Sequence, residues 1–203
     1  MKYILLSTRP KWCDKICHEI GKDENGKPIY EKRIEVRKTA PKEVPFKVYI
    51  YCSYGNDREN YMLGRRGKVI GEFVCNKVYL IKNQGSSFSV ADEEQSVTNE
   101  IARQSCLNYY NMVSYLGNKD GYAWHISDLK IYDKPKELRE FRNACPDKFR
   151  YCEICKYGSV VLSPDEEEYA LYHGGNYDTY ETVCHNIVTR PPQSYMYVEE
   201  IDE

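Results

Sequence analysis

Lys32-Arg33-Ile34-Glu35-Val36-Arg37 sets four charged residues around two β-branched aliphatics. Side chains on an extended strand alternate between its faces, so Arg33, Glu35 and Arg37 share one face and Ile34 and Val36 the other. A carboxylate between two guanidiniums orients their forks, which then address a phosphate or a base edge. Lys32 points to the opposite face unless a bulge re-aims it. The plainer reading is a solvated face with weak surface ion pairs.

Working outward, Lys2 to Ser7 reads as a first strand and Pro10 to Ile20 as a helix, with proline at the first helical position. Trp12, Ile16 and Ile20 give that helix one apolar face, and Gly21 is a plausible stop. The turn composition Asp23-Glu24-Asn25-Gly26-Lys27-Pro28 then leads into a strand from Ile29 to Lys38. Downstream, Phe46, Val48, Ile50 and Cys52 alternate with Lys47, Tyr49, Tyr51 and Ser53, which predicts a half-buried strand.

Lys68 to Ile81 carries one or two strands, with Gly71 allowing a bend or bulge. Asn99 to Leu116 is helical, as one helix or two short ones. Tyr122 to Ile126, Leu129 to Tyr132 and the closing Ser194 to Val198 read as strands. Strands dominate with no βαβ rhythm, which predicts an α+β fold: a small mixed β-barrel with flanking helices.

The chain has 203 residues, 41% hydrophobic and 30% charged, with a formal net charge of −2. That is enough apolar side chain for a real core. The mild acidity disfavours binding to long duplex DNA, so any basic site must be local. Met1 to Ser7 lacks the pattern of a secretory leader, and no apolar run is long enough for a bilayer. The expectation is a cytoplasmic protein with no membrane partner.

The charged strand also carries a family resemblance. After its first helix the ASCH family, within the PUA-like superfamily, is marked by Gly-x-Lys-x-x-Glu-x-Arg, and Lys32, Glu35 and Arg37 match its last three fixed positions. Tyr30 stands where the family has glycine. Gly67-Lys68-Val69-Ile70-Gly71-Glu72-Phe73 is similar to the family's central strand. Tyr122 to Leu129 and Thr189 to Ser194 resemble segments of small ASCH-like proteins of phages and prophages of Gram-positive bacteria. The barrel domain is accordingly expected over residues 1–138 plus 186–203, with a loop-rich, cysteine-containing insert at 139–185.

The resemblance implies a cleft between barrel and helix that holds RNA or a nucleotide. Lys32, Glu35 and Arg37 would line it. Arg9 and Lys11, beside a helix N-terminus that favours anions, would add a phosphate subsite. Trp124 is a candidate for stacking on a base and His125 for titration near neutrality, against the plainer roles of core packing and a backbone hydrogen bond. The first reading is thus an RNA- or nucleotide-binding module. The second is a hydrolase on RNA or a modified nucleoside, with Lys32 stabilising developing negative charge and Glu35 as general base. The third is a phage accessory protein that sequesters a host nucleotide signal or a host protein. In relatives that deacylate a modified cytidine, a threonine nucleophile stands three residues after the lysine; here that residue is Glu35, which argues against that activity.

Nine cysteines in a reducing compartment read as core residues or metal ligands before disulfides. Cys152-Glu153-Ile154-Cys155 has metal-ligand spacing, and Cys145 with Cys184 or His185 would complete a tetrahedral structural zinc site. A redox pair or plain thiols are the alternatives. Elemental analysis of chain purified without chelator is expected to find about one zinc per chain, the stoichiometry of a closed structural site. Absence of zinc, with unchanged stability of Cys152→Ser, would reject the site.

Overall fold

A computed structural model describes residues 1–55, 61–85, 87–144 and 187–201. Two sheets carry the fold. Strand β1 (Lys2–Thr8) leads into helix α1 (Pro10–Cys17), followed by a hairpin of β2 (Glu19–Lys22) and β3 (Pro28–Tyr30). Then come β4 (Ile34–Arg37), β5 (Phe46–Cys52), β6 (Lys68–Cys75), β7 (Val78–Asn83) and β8 (Phe88–Val90). Helices α2 (Gln95–Ser105) and α3 (Tyr109–Leu116) precede β9 (Gly121–His125), β10 (Ser127–Glu137) and the last strand, β11 (Tyr195–Val198).

The larger sheet has the order β10-β6-β5-β1-β11 and the smaller β4-β9-β7-β8. Strands β1 and β5 are parallel and the other pairs antiparallel, so the larger sheet is mixed, as expected. The α+β class is as expected; among the described strands the pairing gives these two sheets and the β2–β3 hairpin, without a closed barrel. None of the helices among the described residues is long and apolar enough to cross a membrane.

Alternation explains the layers. Ile4 and Leu6 of β1, with Phe46, Val48, Ile50 and Cys52 of β5, face a core shared with Cys13 and Ile16 of α1 and Trp124 of β9. Leu5, Tyr49 and Tyr51 point the other way, into a second cluster closed by Phe141, Val188 and Val198. The half-buried strand read at β5 is therefore buried on both faces: Tyr49 is 1% and Tyr51 3% exposed. A third cluster packs Ile34, Val36 and Ala123 of the smaller sheet against Ile101 of α2 and Met112 and Leu116 of α3.

Three local expectations change. Helix α1 ends at Cys17 rather than Ile20, because His18 turns extended and Ile20 enters the β2–β3 hairpin, where it is 54% exposed. The buried face of α1 is Pro10, Cys13 and Ile16. The single strand read over Ile29 to Lys38 is two, broken at Glu31–Arg33. The helical stretch is two helices, divided at Cys106, whose left-handed backbone ends α2. Gly71 acts by close approach: a Cβ there would lie 2.5 Å from the carbonyl oxygen of Lys130 on β10.

Burial holds the core thiols protonated. It pushes Cys17 up to about 11 and Cys75 to about 12, and Cys13 is raised as well. Phe141 lies beyond the boundary expected at residue 138, yet it is fully buried, and its ring centroid is 5.1 Å from that of Tyr49. Phe141→Ala should therefore cost about 3–5 kcal/mol in denaturant unfolding. A loss under about 1 kcal/mol, typical of surface sites, would show that Phe141 does not belong to the core.

Candidate functional site

Lys32 sits in the break between β3 and β4, and three backbone bonds pin that segment to the ends of α1 and α2. The amide of Glu31 donates to the His18 carbonyl at 2.9 Å, that of Lys32 to Lys15 at 3.1 Å and that of Arg33 to Gln104 at 2.9 Å. The Lys32 side chain is thereby driven inward. Its Nζ donates to the carbonyl of Ser105 at 2.7 Å, at the C-terminal end of α2, where a helix favours a cation. It also lies 5.3 Å from the ring centroid of Trp12.

Register explains Glu35. It pairs with Trp124 across β4 and β9, so its side chain leaves the sheet on the Trp124 side, toward the larger sheet. Glu35 Oε1 is 2.7 Å from Arg37 Nη2, and Oε2 is 3.3 Å from Lys32 Nζ. Arg37 Nη2 also donates to the Ser7 carbonyl at 2.8 Å and to Thr8 Oγ1 at 3.1 Å, tying β4 to the end of β1. Lys32, Glu35 and Arg37 are 2%, 5% and 7% exposed.

The carboxylate thus lies between an ammonium and a guanidinium, not between two guanidiniums. Arg33 precedes the strand and turns away, with Nη2 at 3.7 Å from Glu100 on α2. Burial pulls Lys32 below the ordinary lysine range, with Glu35 opposing the shift. Two buried atoms of the network, Glu35 Oε2 and Arg37 Nε, have no hydrogen-bond partner.

The network lies in a cleft of about 630 Å³. One wall is the end of β1 and the start of α1, with Thr8, Arg9 and Trp12. Asn111, Ser114 and Tyr115 of α3 also line the cleft, as do Pro191 to Ser194. Tyr115 lies against Arg37, and burial raises its phenol above the usual range. Lys38 Nζ lies 5.4 Å from the Tyr115 ring centroid.

Of the residues singled out in the sequence, Arg9, Lys32, Glu35 and Arg37 meet in this cleft. Lys11 does not line it; its Nζ is exposed beside the Trp12 ring, 5.8 Å from the centroid. Trp124 is fully buried, edge-on to Phe46 and Tyr195, so its ring is a core element. His125 points to the far face of the smaller sheet, because strand alternation places it opposite Trp124. There its Nδ1 contacts Asn76 and Ser127, and burial lowers its pKa, with Arg33 and Lys77 adding to the shift.

Trp12, which the sequence places on the apolar face of a longer helix, and Tyr115, which no spacing marks, both line the cleft. The proposed zinc ligands Cys145, Cys152, Cys155, Cys184 and His185 lie outside the described residues. Among the described residues, no group of three or more His, Cys, Asp or Glu is placed to hold a metal ion.

No family model and no curated protein matches the chain. Among solved structures it is similar to ASCH from Zymomonas mobilis: 13% identity, TM-score 0.49, covering 98% of this chain and 89% of that one. A tyrosine-to-phenylalanine mutant of that protein gives 13% identity and a TM-score of 0.49 over 98% of this chain and 92% of that one. A serine-to-alanine mutant gives 12% identity and the same score over 98% and 89%.

Removing Glu35 would leave two buried cations facing each other. Glu35→Ala should lower unfolding free energy by about 3–5 kcal/mol, the cost of breaking a buried ion network. A loss under about 1 kcal/mol, as for an exposed pair, would show that the network is solvated.

Proposed function

We propose that this chain is a binding module for RNA or a nucleotide, and that the ligand occupies the cleft floored by Lys32, Glu35 and Arg37. The observation that carries the reading is the local charge. Arg9, Lys32 and Arg37 face one carboxylate, Glu35, in a chain whose net charge is −2. Such a concentration of positive charge in a walled cleft attracts an anionic ligand.

Size and aromatic content point the same way. A cleft of about 630 Å³ suits a nucleotide-sized molecule. Trp12 and Tyr115 both line the cleft and supply flat surfaces, and unstacked bases bind such rings. Lys32, Glu35 and Arg37 are also the residues that match the ASCH motif. Glu35 at the position of the relatives' threonine nucleophile favours binding over deacylation.

Titration of a short fluorescent single-stranded RNA and of mononucleotides, at two salt concentrations, tests the reading. Binding should weaken with salt as phosphate contacts release counterions. Arg9→Ala, on the exposed rim, should weaken binding by about 1–3 kcal/mol, the scale of a charge-assisted hydrogen bond. Lys22→Ala in the exposed β2–β3 hairpin should leave it unchanged. If neither ligand binds at low salt, the cleft is not a nucleotide site.

A further inference from the structure

We propose that the floor of the cleft takes the imide edge of a uracil base, with the base innermost and the phosphate at the rim. The ring N–H would be donated to Glu35, and the two flanking carbonyls would accept from Lys32 and Arg37. This rests on the nucleotide-binding reading and deepens it.

The starting observation is the pair of buried atoms without partners, Glu35 Oε2 and Arg37 Nε. Buried polar groups are nearly always hydrogen-bonded; of five such unpartnered atoms among the described residues, these two fall in one network beside a cleft, which points to a missing partner there. Lys32 Nζ is 3.3 Å from Oε2, a long ionic contact that leaves acceptor capacity on that oxygen. The ammonium has three protons, and one goes to Ser105. The guanidinium concentrates its bonds on Nη2, which faces Glu35, Ser7 and Thr8, and leaves Nε unused.

The floor therefore offers an acceptor with a donor on either side. Its complement is a donor with an acceptor on either side, which is the C=O, N–H, C=O edge of uracil. Cytosine would set its unprotonated ring nitrogen against the carboxylate, lone pair to lone pair. Guanine would turn its amino group toward a cation. A phosphate in the same place would bring its own negative charge against Glu35, whereas exposed Arg9 at the rim carries no such conflict.

The two unpaired atoms are closed to solvent, and the Tyr115 hydroxyl lies against the Arg37 guanidinium. The base would enter by taking the place of that hydroxyl on Arg37. Trp12, whose ring already meets the Lys32 ammonium, would flank the bound ring.

Calorimetric titration of the full chain with uridine, cytidine, 3-methyluridine and ribose 5-phosphate tests this. 3-Methyluridine keeps both carbonyls and carries a methyl group in place of the N–H proton, so the edge is blocked without a variant that risks the fold. Uridine should bind roughly tenfold or more tighter than cytidine or 3-methyluridine, the loss expected when one buried hydrogen bond goes unmade. Arg9→Ala should weaken binding of uridine 5′-phosphate and leave uridine unchanged. Equal affinity for uridine and 3-methyluridine, or a preference for cytidine, overturns the imide edge. Binding of ribose 5-phosphate without uridine overturns the base-inward orientation while the nucleotide reading stands. If none of these ligands, nor RNA, binds, both fall.

Discussion

The ion network of Lys32, Glu35 and Arg37 joins parts of the molecule that share no strand pairing. Lys32 holds the end of α2 through Ser105, and Arg37 holds the end of β1 through Ser7 and Thr8. Glu35 contacts both cations. Charges this deeply buried are tolerated only when paired, so each residue depends on the other two. The same requirement keeps α2, β4 and the β1–α1 junction in fixed relation, and β4 and that junction line the cleft together with α3. Stability and site geometry thus share one set of atoms.

Around that network the apolar layers work by alternation. Trp124 and Glu35 are register partners on one face of the smaller sheet, so an aromatic core residue and a site carboxylate stand side by side. Ile34, Val36 and Ala123 on the other face bury against α2 and α3. The larger sheet is covered on both faces, by α1 and Trp124 on one side and by Phe141 and Val188 on the other. A sheet enclosed this way leaves little room for strand slippage, because a one-residue shift exchanges every buried side chain. A rigid surround lets the network carry two buried polar atoms without partners.

The cleft is also where charge distribution departs from composition. The chain is slightly acidic, yet the cleft sets three cations against one carboxylate. Many surface ion pairs, such as Lys82 with Asp120 and Arg103 with Glu100, join exposed partners and contribute little. Lys47 with Glu72 is more enclosed, and the Tyr132 hydroxyl donates to that carboxylate, on the larger sheet away from the cleft. What sets the Lys32 network apart is burial on the cleft floor with bonding capacity left over.

Alternation in Phe46 to Cys52 and the proline opening α1 are local signals legible in the sequence, whereas Asn99 to Leu116 reads there as one helix or two, and the left-handed Cys106 decides it. Lys32, Glu35 and Arg37 are conspicuous in the sequence as well, because four charges within six residues stand out in any strand. Their partnership was not legible. Arg33 looked equivalent to Arg37 by spacing, and Lys32 looked misdirected, because strand alternation assumes that the strand already begins there. Only the tertiary structure, through bonds from Lys15, His18 and Gln104, interrupts the strand and turns Lys32 inward and Arg33 out. Trp12 and Tyr115 likewise become cleft walls through the packing of α1 and α3, which no local pattern encodes. Trp124 and His125, adjacent in sequence, part to opposite faces because the face that a strand buries is decided by what packs on it.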